Sequence, residues 1–313
     1  MSYKQLTQNQ RYVISVLNKR DCPQKEIAEE LDVDPSTVSR ELDRNSVDGE
    51  YNPEQANKKA MNRKKGKRSK RIDQQDWSIV ENLIQKEWSP EQVSGWLKKE
   101  GKLDISHTYI YDYIWKDKQN GGDLYENLRH DNENRNPYGT ENTSEPLKNR
   151  TSIDERPDVV DERDRVGDWE ADLIIGKGHE GAMLTVLERR TRFALMRPLE
   201  GKSAEEVARK LVNSLSEHSN RVRTLTHDNG GEFAEHEKTA EALDANVYFA
   251  HPYSSWERGA VENMNGLIRQ YYPKDQPLDD LNKQEVIRTQ TKLNARPRKC
   301  LDWKTPSEAF FER

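Results

Sequence analysis

The sequence predicts a mixed α/β domain in the second half of the chain, preceded by small all-α units, and two patterns carry that expectation. After residue 168 the order reads strand 172–176, strand 182–188, strand 191–197, helix 203–218, strand 222–226, helix 232–243, strand 246–250 and helix 256–270. Three strands joined by short links and then alternating helices and strands make a mixed sheet rather than an all-parallel one. Ahead of residue 117 the apolar residues instead recur at helical spacing, with cap signals between them.

The chain has 313 residues, long enough for one catalytic domain of ordinary size and at least one smaller unit. Charged residues make up 34% and hydrophobic ones 32%, so the surface is heavily solvated and some segments read as linkers. No apolar run approaches the roughly 20 residues of a membrane span, and no signal-peptide region opens the chain, so a cytoplasmic protein without membrane contact is expected. Cys22 and Cys300 form no CxxC and read as free thiols. Net charge is −5, yet nine Lys and Arg fall between residues 58 and 71 without one acid. That local run matters more for a nucleic-acid partner than the sum does.

In order, residues 1–48 read as three short helices. Tyr12, Val13, Val16 and Leu17 mark the first, and Ile27, Ala28 and Leu31 the second. "LDVDPS" turns into the third, with Asp34 as N-cap and Pro35 at the first helical position. This is a helix-turn-helix pattern whose third helix would enter the major groove, leaving Ser36, Thr37, Ser39, Arg40 and Arg44 outside the packed stripe as DNA-binding candidates. Arg40 suits a guanine edge or a phosphate equally. Residues 49–72 read as a basic linker in which Lys64, Lys65, Lys67 and Arg68 would add salt-dependent affinity for DNA.

Residues 73–116 read as a second three-helix unit, with Ser89 and Pro90 opening its middle helix. Trp77, Leu83, Ile84, Trp88, Val93, Trp96, Leu97, Ile110, Tyr113 and Ile114 are its expected core, and His107, Thr108 and Tyr109 a face for a second DNA contact. Gly, Asn and Pro break any period over 117–160, which reads as a polar linker. The catalytic domain with its C-terminal helices is expected over 161–313.

Three acids there stand on separate elements. Asp172 runs directly into Leu173, Ile174 and Ile175, which puts it near a strand start and leaves Asp168 and Glu170 as solvated neighbours. Asp228 follows the apolar run at 222–226, and its Asn229-Gly230-Gly231 sequel permits a sharp turn. Glu262, on a helical pattern, is separated from Asp228 by 33 intervening residues. Such carboxylates could converge on a hard divalent ion, Mg²⁺ or Mn²⁺. Arg258 and Arg269 share the helix face of Glu262 and would approach DNA phosphates, whereas an ordinary surface ion-pair ladder is the bland alternative. His227 and His251 flank the site and are assigned no role. Arg296, Arg298 and Lys299 of "NARPRK" are expected to be exposed.

The element order resembles the ribonuclease H-like core of transposases and retroviral integrases, and Trp169 with Asp172 resembles their Trp-x-x-Asp arrangement on the first strand. "STVSREL", "SIDERP", "GDWEADLIIG", "LERRTRF", "DNGGEF", "PYSSWERG", "ENMNGLIRQYYPK" and "LNARPRKCLDWKTP" resemble recurring blocks of the insertion sequence 30 family of transposases, over almost the full length. The resemblance implies binding of double-stranded DNA at terminal inverted repeats and metal-dependent cleavage and joining by an Asp-Asp-Glu triad, here Asp172, Asp228 and Glu262. Two Mg²⁺ or Mn²⁺ ions, roughly 3.5–4 Å apart, would be held by those three residues. A homodimer or higher homo-oligomer on DNA is expected because two element ends and a target DNA are processed together. The rival readings are a non-catalytic DNA-binding regulator and a nuclease of RNA–DNA hybrids.

Overall fold

The computed structural model describes residues 6–47, 49–66, 72–129, 149–252 and 254–312. The chain divides into two compact units, residues 1–74 and 75–313. Lys67 and Arg68 lie outside the described residues.

In the first unit, α1 (Gln8–Asn18), α2 (Gln24–Glu30) and α3 (Pro35–Asn45) are joined by α4 (Pro53–Gly66), so the first part of the basic run is helical. Ile14, Ile27, Ala28, Val38, Tyr51 and Ala56 form the core. The Asp34 carboxylate accepts the Ser36 backbone N–H at 2.8 Å and Pro35 takes the first helical position, so α3 starts as its sequence dictates. Arg11 reaches across to Glu41 on α3 at 2.7 Å, and the Tyr51 hydroxyl donates to the same carboxylate at 3.0 Å. From α4, Lys59 and Arg63 donate to the backbone and side-chain oxygens of Asn45, so part of the basic run props the end of α3.

The second unit opens with α5 (Gln74–Gln85), α6 (Pro90–Lys99) and α7 (His107–Gln119). Trp77 stacks on Tyr113 with ring centroids 3.7 Å apart, and Val80, Ile84, Val93, Leu97, Ile110 and Ile114 are buried beneath them. These helices are fastened to the rest of the unit. Glu87 pairs with Lys292 at 2.7 Å and Arg296 at 2.9 Å and accepts the Tyr271 hydroxyl, while Gly95 leaves room for the Trp303 ring where any Cβ would collide.

After the short α8 (Val159–Glu162) come β1 (Asp168–Ile175), β2 (Ala182–Glu188), β3 (Ala194–Leu199), α9 (Ala204–Ser216), β4 (Thr224–His227), α10 (His236–Leu243), β5 (Asn246–Phe249), α11 (Gly259–Ile268), α12 (Lys283–Asn294) and α13 (Pro306–Phe311). The sheet order is β3-β2-β1-β4-β5, with β1 antiparallel to β2 and parallel to β4. This is the expected mixed sheet. One face packs through Trp169, Leu184, Val186 and Leu225 on Val207 and Leu211 of α9 and Phe310 of α13. The other packs through Ile174, Met183 and Leu187 on Val261, Met264 and Ile268 of α11 and Val286 and Leu293 of α12.

Three expectations change. The strand begins at Asp168, so Asp172 is its fifth residue and not near its start. Charge suggested solvent for Asp168 and Glu170, but both are buried because each has a fixed partner. Arg165 and Thr224 hold Asp168, and Arg189 holds Glu170. The stretch read as a polar linker is also folded at both ends. Leu124–Asn127 turns against α7, and Thr151 and Ser152 add to the edge of β5, where the Phe249 N–H donates to the Thr151 carbonyl at 2.9 Å.

Candidate active site

Side chains alternate along a strand, so Asp168, Glu170, Asp172 and Ile174 share the face of β1 that looks toward α11. The parallel pairing of β1 with β4 runs through Glu170↔Thr226. Continuing that register two residues puts Asp228, just past the end of β4, level with Asp172. Adjacent parallel strands thus bring together two acids that are far apart along the chain.

One guanidinium joins them. Arg258, at the start of α11, lies with Nη2 3.1 Å from Asp228 Oδ2 and Nη1 3.4 Å from Asp172 Oδ1, and also donates to the Ala171 carbonyl. The Asp172 carboxylate is further fixed by the Asn265 side-chain amide, whose Nδ2 donates to Oδ2 at 2.7 Å. Asn265 is itself oriented by the Thr185 hydroxyl at 2.9 Å. Burial pushes the Asp172 carboxyl up to about 6, and the neighbouring charge of Asp228 adds to this against the pull of Arg258. The Asp228 Oδ1 accepts the Gly230 N–H at 3.1 Å, which shapes the turn predicted from Asp-Asn-Gly-Gly.

Glu262 lies half-buried in the first turn of α11, one helical turn beyond Arg258. Among the described residues no three His, Cys, Asp or Glu side chains are grouped to hold a metal ion. What converges is the pair Asp172 and Asp228, whose hard carboxylate oxygens share a single positive charge. That donor set fits a divalent cation in kind.

Three residues shape this site in ways that charge and spacing alone did not indicate. Glu170 accepts the Val261 backbone N–H at 2.9 Å with one oxygen while Arg189 donates to the other at 2.6 Å, so the strand of Asp172 grips the helix of Glu262. Asn265 sets the Asp172 rotamer. Arg258, expected to face phosphates, is buried between the two aspartates. The recurrence of acids at every second position of "DWEAD" was the available signal for Glu170; nothing in the sequence marked Asn265. Arg269 likewise turns inward, donating to the carbonyls of Ile175 at 2.7 Å and Tyr272 at 3.3 Å. In "NARPRK", Arg296 is buried on Glu87 and Tyr271, a correction to the exposure expected from its charge, and Lys299 pairs with Glu91 at 2.9 Å.

Both flanking histidines have packing or bridging roles. His227 is buried and stacked on Phe233 at 4.2 Å, and burial drives its pKa down to about 3. His251 bridges Glu257 at 2.8 Å and Asp154 at 3.0 Å; the hydrogen bonds its ring donates to these two acids raise its pKa. Asp154 thereby ties the "SIDERP" block to the segment after β5, and Arg156 of the same block donates to Thr226 on β4 at 2.9 Å.

On the exposed face of α3 stand Ser36, Ser39, Arg40 and Arg44, with Thr37 half-buried. Lys64 and Lys65 lie on α4.

Known proteins resemble the chain at both levels. A helix-turn-helix domain family matches residues 2–45. The transposase for insertion sequence element IS4351 of Bacteroides fragilis is 42% identical, covering 98% of this chain and 95% of that protein. The transposase for IS1086 of Cupriavidus metallidurans is 33% identical over 99% and 95%. Transposase InsI for IS30C of Escherichia coli is 34% identical over 90% of this chain and 77% of its own length. A chain in the simian T-cell lymphotropic virus intasome complex with a phosphatase regulatory subunit superposes with a TM-score of 0.40 at 16% identity, over 48% of this chain and 55% of that one. With identities above 30% running nearly end to end, the chain belongs to the insertion sequence 30 family of transposases.

Proposed function

We propose that this transposase binds the terminal inverted repeats of an insertion sequence through α3 and cuts and joins DNA strands by metal-dependent phosphoryl transfer. In this reading Asp172, Asp228 and Glu262 are the catalytic carboxylates and hold two Mg²⁺ or Mn²⁺ ions. The observation that carries the reading is the convergence of Asp172 and Asp228 on one cationic charge, beside the helix that bears Glu262.

When bound, the divalent ions would supply the charge that polarises the scissile phosphoryl group and neutralises the leaving oxygen. The chain supplies position. Asn265 and the Leu173 N–H hold the Asp172 carboxylate in one orientation, and the Gly230 N–H holds that of Asp228. Glu170 fixes the register of α11 and therefore where Glu262 stands. Arg258 keeps the two aspartates together as their internal counter-charge. Strand transfer exchanges one phosphodiester for another: the attacking water or DNA 3′-hydroxyl forms the new P–O bond as the 3′-oxygen leaves, so no covalent protein–DNA intermediate is required. Two copies, each on one element end, are the expected working form, acting in the cytoplasm.

The test is to incubate the full chain with Mg²⁺ and DNA carrying the flanking ends of its element, then map nicks and joints. Strand breaks at the element termini, and joints to target DNA, support the proposal. Binding of the ends with no cutting in Mg²⁺ or Mn²⁺ would leave a DNA-binding regulator, and cutting confined to RNA–DNA hybrids would leave a nuclease.

A further inference from the structure

Residues Gly259, Ala260, Asn263, Met264 and Leu267 fall on one face of α11, roughly opposite the face of Arg258, Glu262 and Asn265 on a 3.6-residue period. That face borders a cavity of about 270 Å³ whose charged lining is Arg163, Arg192 and Arg298, with no carboxylate, in a chain that is acidic overall. Among the described residues none of the three arginines forms an ion pair. The acids nearest Arg163 in charge, Glu170 and Asp161, are taken by Arg189 and Arg156. Arg298 donates to the Leu293 carbonyl at 3.0 Å, but its Nε is buried without a hydrogen-bond partner. Arg163 and Arg192 both have left-handed backbones, with φ of 58° and 62°, a conformation that long side chains seldom adopt. Arg163 is exposed and Arg192 and Arg298 are half-buried, and an anion among three guanidiniums that line one cavity relieves their mutual repulsion.

We propose that this cavity binds a backbone phosphodiester of the DNA strand being processed, held by Arg163, Arg192 and Arg298, with the adjoining sugar against Leu187, Met264 and Leu267. The planar guanidinium fork suits a phosphate, and the apolar floor suits the strand that carries it and not a free ion. The carboxylate face lies one helix away, about 10–12 Å. That distance is about three nucleotides at ~3.4 Å each. The site would therefore fix the strand a few nucleotides from the scissile bond. The inference rests on DNA as the substrate but not on the metal chemistry proposed above.

Cys300 lines the same cavity and is exposed, which makes it the reporter. In the full chain carrying Cys22→Ser, with chelator present so that no strand is cut, the rate of Cys300 alkylation by iodoacetamide is followed with and without element-end duplex, whose binding is read separately by fluorescence anisotropy. Bound duplex is expected to slow alkylation several-fold, and inorganic phosphate at the same phosphate concentration is expected not to. Arg163→Gln and Arg192→Gln should each restore the free rate while the duplex stays bound, and each should lower the log–log salt slope of binding by about 0.9. Unchanged alkylation with duplex bound, equal protection by inorganic phosphate, or protection that survives both substitutions would overturn the proposal. Because anisotropy reports binding independently and no cutting is measured, such a failure is distinct from failure of the strand-transfer reading.

Discussion

Glu170 on β1 accepts the backbone N–H of Val261 on α11 at 2.9 Å, inside the core and beside a 2.6 Å ion pair with Arg189. This contact joins the strand of Asp172 to the first turn of the helix of Glu262. Helix position here is set by a buried charge and not by apolar packing alone. Glu170→Gln keeps the shape but removes the charge, leaving Arg189 partly uncompensated. Breaking one side of a buried pair costs about 3–5 kcal/mol. Urea unfolding of the full chain should show a loss of this order, and strand cleavage should fall while terminal DNA binding persists. A stability within experimental error of wild type would mean that the contact is dispensable.

Asp172 has its folded pKa raised from 3.8 to about 6. Between those values the folded chain keeps a proton that the unfolded chain has released, so this residue's contribution to stability falls as pH rises through about 4 to 6 and is flat above. A tenfold difference in proton affinity between the two states is worth about 1.4 kcal/mol. Asp172→Asn in chelator should therefore gain stability relative to wild type across that window, by about 2–3 kcal/mol at most at pH 7.5. The check is the difference in unfolding free energy between the two proteins at pH 4 and at pH 7.5. A difference that does not grow with pH contradicts the assignment.

Arg258 is the internal cation of the aspartate pair, so it opposes any other cation there. Arg258→Gln should lower the melting temperature in chelator, since two carboxylates lose their shared partner. It should also bind Mn²⁺ more tightly, about tenfold or ~1.4 kcal/mol, as read by calorimetry. Weaker Mn²⁺ binding in the variant would instead make Arg258 a support for the metal.

Arg40 stands exposed on α3. If it reads a guanine edge bidentately, Arg40→Ala should cost about 1–3 kcal/mol of binding to the terminal repeat and relax preference at one base pair. A uniform loss across DNA sequences with a shallower salt slope indicates a phosphate contact.

The sheet was legible because its strands carry strong apolar periodicity, whereas the neighbourhood of Asp172, midway along β1, and Asp228, just past β4, follows from the parallel pairing of those two strands. Helix caps at Asp34 and Ser89 were readable because short polar residues before proline have few other uses. What stayed hidden was the buried charge. Asp168, Glu170, Arg258 and Arg296 look like surface residues one at a time, and only tertiary pairing explains their burial. Residues 149–152 looked like linker because a short segment added to a sheet edge has too few residues to show a period. Asn265 was invisible for a different reason: its role depends on a strand that lies 93 residues away at Asp172.

The most direct measurement is cleavage of element-end DNA in Mg²⁺ by Asp172→Ala, Asp228→Ala and Glu262→Ala, with binding to the same DNA measured in parallel. All three should lose strand cleavage to background while binding through the N-terminal unit stays at the wild-type level. Wild-type cleavage by any one of them, or loss of binding in step with cleavage, would contradict the three-carboxylate account.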